Sequence, residues 1–163
     1  ELETLSSFQK NMEKVQEDIN SHHTALTKLS TTLARKREKT AAVFKKKVEK
    51  ELRDLGMKDI KLEVQFIYEE DDSGFISFRN QRIKLNPTGL GTIEFLFSPN
   101  PGEELRPLVK IASGGELSRL MLALKSNLNM QDIIPVMIFD EVDTGIGGKI
   151  AEVVGNKLKK NCY

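Results

Sequence analysis

Apolar residues recur at Leu5, Met12, Ile19, Leu26 and Leu33, a ladder with a step of seven. Phe8, Val15 and Leu29 follow three positions after members of that ladder, while His22 and Lys36 take the equivalent places after Ile19 and Leu33. Residues 1–55 contain neither Pro nor Gly. This pattern predicts one long helix with a/d seam character. The stripe resumes at Phe44 after an eleven-residue step that behaves as a stutter, then runs through Val48, Leu52 and Leu55 to Gly56, a good helix stop. Two readings stand for residues 1–55: a coiled-coil strand whose partner helix lies outside this chain, or an amphipathic helix packed on its own domain.

From Lys61 the period drops to two. Leu62, Val64, Phe66 and Tyr68 alternate with Glu63, Gln65 and Ile67, which predicts a strand. Glu69-Glu70-Asp71-Asp72-Ser73-Gly74 reads as a hairpin tip, since its acids fit no standard calcium-loop spacing. Phe75–Phe78 reads as a short strand, Asn86–Gly91 as loop and Thr92–Phe97 as a strand broken by Asn100-Pro101-Gly102. A helix is expected from Gly115 to Asn129, with Leu117, Leu120, Met121, Leu124 and Leu128 as its core face. Val136–Phe139 is a continuous apolar run, the pattern of a central strand covered on both faces. Gly145–Gly148 is a turn, and Ile150, Val153, Val154 and Leu158 mark a last amphipathic helix. The fold class expected is α/β, divided into a coiled-coil helix (1–55) and a head lobe (56–163).

The 163 residues carry 25 Lys+Arg against 24 Asp+Glu, a net charge of +1. Such a balance neither favours nor excludes nucleic acid, which needs a local patch. Arg35, Lys36, Arg37, Lys39 and then Lys45, Lys46 and Lys47 form such a cluster, read either as a phosphate contact or as a solvated helix face. The single cysteine, Cys162, fits a reducing cytoplasm, and no apolar run approaches a membrane span, so no membrane partner is expected. Both ends read as cuts within a longer protein.

Candidate chemistry gathers late in the chain. Ser113-Gly114-Gly115 opens a helix, whose free backbone N–H groups and positive dipole end suit a phosphate. Two glycines let a phosphate approach the backbone closely, Ser113 can cap the helix, and Glu116 in the first turn complements the dipole. Asp140-Glu141 at the end of an apolar run suits a hydrated Mg²⁺ and a water-activating base. Each element alone is also what a capped helix or a capped turn looks like. Their order and spacing, with Leu117-Ser118-Arg119 completing the first, is the more specific signal.

Ser113-Gly114-Gly115-Glu116-Leu117-Ser118-Arg119 resembles the signature motif of ABC-type ATPases, Val136–Glu141 their Walker B strand, and Asp143-Thr144-Gly145-Ile146-Gly147-Gly148 their D-loop. Within that superfamily, Phe95–Glu103, Ala112–Arg119 and Phe139–Ile146 resemble the RecN family, bacterial DNA-repair ATPases related to the chromosome-maintenance proteins. The resemblance implies the C-terminal lobe of an incomplete P-loop NTPase head. It implies that Ser113, Gly114, Gly115 and Glu116 meet ATP held by the opposite head of a homodimer, and that Asp140 holds Mg²⁺. It further implies that Glu141 is the general base, and that Asp143, Thr144 and Gly145 carry signals across the head interface. Arg119 would position the motif through an ion pair or lie exposed. DNA, the N-terminal half of the same protein and a second head are the implied partners, and the nucleoid the implied location.

The chain contains no Gly-x-x-x-x-Gly-Lys-[Ser/Thr]. It is therefore expected neither to bind ATP tightly nor to hydrolyse it alone. His22 and His23 lie in the predicted coiled coil and cannot stand in for the family's switch histidine. The rival readings are another chromosome-maintenance-like or transporter-type ABC ATPase, and a non-catalytic coiled-coil assembly module.

Overall fold

The computed structural model describes residues 2–98, 100, 102–110, 114–128 and 136–160. Helix α1, Leu2–Asp54, is one unbroken element, as the absence of Pro and Gly dictates. Its end is a Schellman motif. Gly56 takes φ +88°, its N–H donates to Arg53 O, and the Met57 N–H reaches back to Leu52 O. The strands β1 (Lys61–Ile67), β6 (Thr92–Ser98) and β7 (Arg106–Pro107) form one sheet in the order β1-β6-β7, with β6 and β7 antiparallel. Between β1 and β6 lie two miniature hairpins, β2–β3 (Ser77–Phe78 with Gln81–Arg82) and β4–β5 (Leu85–Asn86 with Gly89–Leu90). A single 3₁₀ turn, Leu108–Lys110, precedes α2 (Gly114–Asn127), and α3 (Lys149–Lys160) closes the described chain.

The chain divides into two compact units that share α1. The first comprises residues 1–39 and 66–92. Its small core joins Ala34 of α1 to Ile76, Phe78, Ile83 and Leu90 of the hairpins. The β2–β3 turn is Arg79-Asn80, both at positive φ, the conformation that lets a two-residue turn follow the natural strand twist. Arg79 also pairs with Glu38 and lies over the Tyr68 and Phe78 rings. Tyr68 donates its hydroxyl to Glu38 at 2.7 Å. Burial first, then that bond and the negative charge of Glu38, push the Tyr68 phenol from 10.0 up to about 12. The acidic tip behaves as a turn, with Asp71 accepting from the Ser73 amide and hydroxyl. Residues 86–91, expected as plain loop, contribute the β4–β5 hairpin instead.

The apolar ladder of α1 faces away from this core. Phe8 is 65 % exposed and Leu29 67 %, and Met12, Val15, Ile19, Leu26 and Leu33 are also exposed, whereas Ser30 and Ala34 are buried. The ladder is thus largely open among the described residues, with Leu33 at its end lying close to the Gly89 backbone of the second hairpin.

The second unit comprises residues 40–65 and 93–163. Here the stripe after the stutter becomes core. Val48, Leu52 and Leu55 pack with Leu62 of β1, Phe97 of β6, Leu120, Leu122 and Ala123 of α2, and Val154 of α3. Glu51 pairs with Lys157 of α3, and Glu49 accepts from the Leu62 amide, fastening α1 to its neighbours at two points. One expectation is corrected. Val136–Phe139 is not a strand but irregular, with Val136 70 % and Ile138 91 % exposed. A strand exists only by pairing, and among the described residues no strand lies beside this segment.

Candidate functional site

Helix α2 begins at Gly114, and its buried face is set by Gly115, Arg119, Leu120, Leu122 and Ala123. Burial of Leu120, Leu122 and Ala123 in the second core fixes the helix and points its first turn at the segment after the apolar run. Ser113, expected at the helix cap, lies outside the described residues, as does Cys162. Gly114 is exposed, Gly115 buried, and Glu116 half-buried in the first turn.

The acidic segment folds back onto this helix start. A Cβ on Gly114 would overlap the Glu141 carboxylate, and one on Gly115 would stand 3.1 Å from Glu141 O and 3.3 Å from Thr144 Cβ. The absence of a Cβ at both positions lets the segment come this close; with one at Gly114 the carboxylate would have to move, and with one at Gly115 its neighbours would have to give by a few tenths of an ångström. Glu141 itself has φ +53°, an uncommon conformation for a residue with a side chain, and its carbonyl accepts from Thr144 N at 3.0 Å to close a turn. Asp140, Glu141, Asp143, Thr144 and Gly145 are all exposed, while Val142 between them is buried in the core. The sequence-predicted residues Gly114, Gly115 and Glu141 therefore meet, and Asp140, Asp143, Thr144 and Gly145 flank them on one continuous turn.

Two further side chains hold this arrangement. Ser118 donates its hydroxyl to Asp140 O, and Arg119 donates Nη1 to Thr144 O at 2.8 Å and to Val142 O at 3.4 Å. Arg119 is only 9 % exposed, and among the described residues no carboxylate lies in ion-pair range of it. Arg119 is thus not exposed, and among the described residues its partners are main-chain carbonyls and not a carboxylate. Its neighbour in the motif, Ser118, carried a visible signal only through the Leu-Ser-Arg tripeptide.

The basic cluster is less uniform than its sequence. In the first unit Arg35, Lys36 and Lys39 are exposed and Arg37 is half-buried. In the second, Lys45 pairs with Glu63, while Lys46 and Lys47 are exposed. The histidines are engaged locally, His22 with Asp18 O and His23 stacked on Phe75. Among the described residues no helix is long and apolar enough to cross a membrane.

Fold and site define a mixed helix-and-strand chain in which a Gly-Gly helix opening is brought against a pair of acids. The chain is a homologue of one part of the proteins named DNA repair protein RecN. It is 37 % identical over 159 residues to that of Treponema pallidum, covering 98 % of this chain and 26 % of the relative. It is 35 % identical over 159 residues to that of Xylella fastidiosa strain Temecula1 (98 % and 27 %) and 32 % identical over 160 residues to that of Bacillus subtilis (96 % and 26 %). The chain spans about a quarter of the length of these curated relatives. No protein-family model matches it.

Proposed function

We propose that this chain is the C-terminal lobe of a RecN-like ATPase head, carrying the returning strand of a coiled coil, in a protein that acts on DNA at double-strand breaks. The observation that carries the reading is the close approach of Gly114 to Glu141, which unites a phosphate-suited helix start with a candidate base. The residues present suit part of a nucleotide site. Gly114, exposed at the helix start, would turn its backbone N–H to a γ-phosphate of ATP held by a second head once the Glu141 carboxylate moves aside, and the buried Gly115 would keep the turn close beneath it. Asp140, an exposed single carboxylate, suits Mg²⁺, an ion that keeps most of its ligands as water and phosphate oxygens. ATP, when bound, supplies the γ-phosphoryl group.

In this reading Glu141 accepts the proton of the attacking water, and Gly114 holds developing phosphate charge with its main-chain donor. Asp143, Thr144 and Gly145 form the surface that meets the other head. The P-loop comes from the N-terminal half, which also supplies strands beside Val136–Phe139 and a helix over the Phe8–Leu33 ladder. DNA as partner, and with it a place on the nucleoid in the cytoplasm, rests on the name the relatives carry. The exposed ladder also suits a second reading, a non-catalytic assembly module.

Mg²⁺-dependent ATP hydrolysis separates the two. The chain alone is inactive. Joined to the half that supplies the P-loop it hydrolyses ATP, and Glu141→Gln lowers the rate about a hundredfold or more. An inactive joined protein that still pairs through residues 1–55 would leave the assembly reading.

A further inference from the structure

We propose that Arg119 is a positioning residue for the acidic segment: its guanidinium holds the main chain of residues 142–144 against α2 and so sets where Glu141 stands relative to Gly114. The inference rests on the reading of Glu141 and the glycines above. Three alternate carbonyls of one segment, those of Asp140, Val142 and Thr144, are held by two adjacent side chains, Ser118 and Arg119. Alternation leaves Glu141 and Asp143, the residues between the held points, exposed and available for chemistry and contact.

The chemistry of Arg119 argues for this task over a packing role. Its Nε is buried with no hydrogen-bond partner among the described residues. A buried unpaired donor is unfavourable, and an apolar chain of similar length would fill the space without it. What the apolar chain cannot do is donate to two carbonyls at once. Both bonds leave one nitrogen, Nη1, and a lysine ammonium could offer two donors as well, but on a side chain one atom shorter and without the rigid guanidinium plane, so it would reach the two carbonyls less well. The partners it has among the described residues are main-chain carbonyls, not carboxylates. Glu141 sits at φ +53° inside the turn closed by Thr144 N and Glu141 O, a conformation held only by its surroundings. Two of those surroundings are the Arg119 bonds.

Arg119→Met tests this in two ways. In the isolated chain, hydrogen exchange reads the turn directly. The amides of Thr144 and Ile146 should exchange about tenfold faster or more, while those of Gly56 and Met57, in the same unit, stay unchanged. Unchanged exchange at Thr144 and Ile146 overturns the proposal, and so does acceleration of both sets together, which would mark Arg119 as a general stabiliser. In the protein joined to its P-loop half, Arg119→Met should lower kcat about a hundredfold with KM for ATP within about twofold, and Arg119→Lys should restore only part of it. Wild-type kcat in the methionine variant overturns the proposal. A joined wild type without ATP hydrolysis sinks the hydrolase reading instead, and the exchange measurement still decides the role of Arg119.

Discussion

Gly114 and Glu141 approach so closely that the carboxylate occupies the space a side chain on residue 114 would need. Gly114→Ala must therefore shift either the helix start or the carboxylate. Gly114 is exposed, so the chain should melt within a few degrees of wild type. In the joined protein ATP hydrolysis should fall about a hundredfold. Full activity in that variant would show that the contact is incidental to the chemistry.

Gly56 ends α1 at φ +88°, and a Cβ there would stand 3.1 and 3.2 Å from two carbons of Ile150. Gly56→Ala should destabilise the second unit by about 1–2 kcal/mol for the left-handed backbone alone. The crowded Ile150 adds to that. Urea unfolding at constant m-value reads the loss. A variant as stable as wild type would mean that the helix ends some other way in solution.

The Tyr68 phenol titrates near 12 in the folded chain, against 10.0 as its ordinary value. The folded state thus holds the proton more tightly than the unfolded one. The stability this contributes is fully present below about pH 10 and is lost as pH rises from 10 towards 12. Absorbance of tyrosinate against pH should show a component near 12 that Tyr68→Phe removes. Glu38→Gln should lower that component without returning it to 10.0, because burial is the larger cause. A single transition at 10 in the wild type would refute the hydrogen-bonded arrangement.

Leu29 and Leu52 lie on the same helix with opposite fates, one exposed on the ladder and one fully buried in the second core. Leu52→Ala should cost about 2–5 kcal/mol. Leu29→Glu should leave the isolated chain within about 0.5 kcal/mol of wild type. If the proposed coiled coil forms over the ladder, Leu29→Glu should nonetheless weaken it, measured by sedimentation of the joined protein. A large loss of stability from Leu29→Glu alone would mean the ladder is already covered within this chain.

Much of the fold is legible in local pattern. The absence of Pro and Gly before Gly56 marks α1, the alternation from Leu62 marks β1, and Leu117, Leu120 and Leu124 mark α2. Val136–Phe139 misled because an apolar run reports a tendency to be covered, whereas a strand requires neighbours. The β4–β5 hairpin escaped because two-residue strands are too short for any period to register. At the site, glycines and acids announce themselves by type and order. The part played by Arg119 does not, since its bonds run to carbonyls that every residue possesses.

Those carbonyls have an evolutionary corollary. Arg119 and Ser118 recognise main-chain oxygens of residues 140, 142 and 144, not the identity of their side chains. Exchanging Thr144 for another residue therefore calls for no answering change at position 119, and the two positions can drift independently while their coupling stays intact. Pairwise covariation would pass over this link, although it joins the two halves of the site.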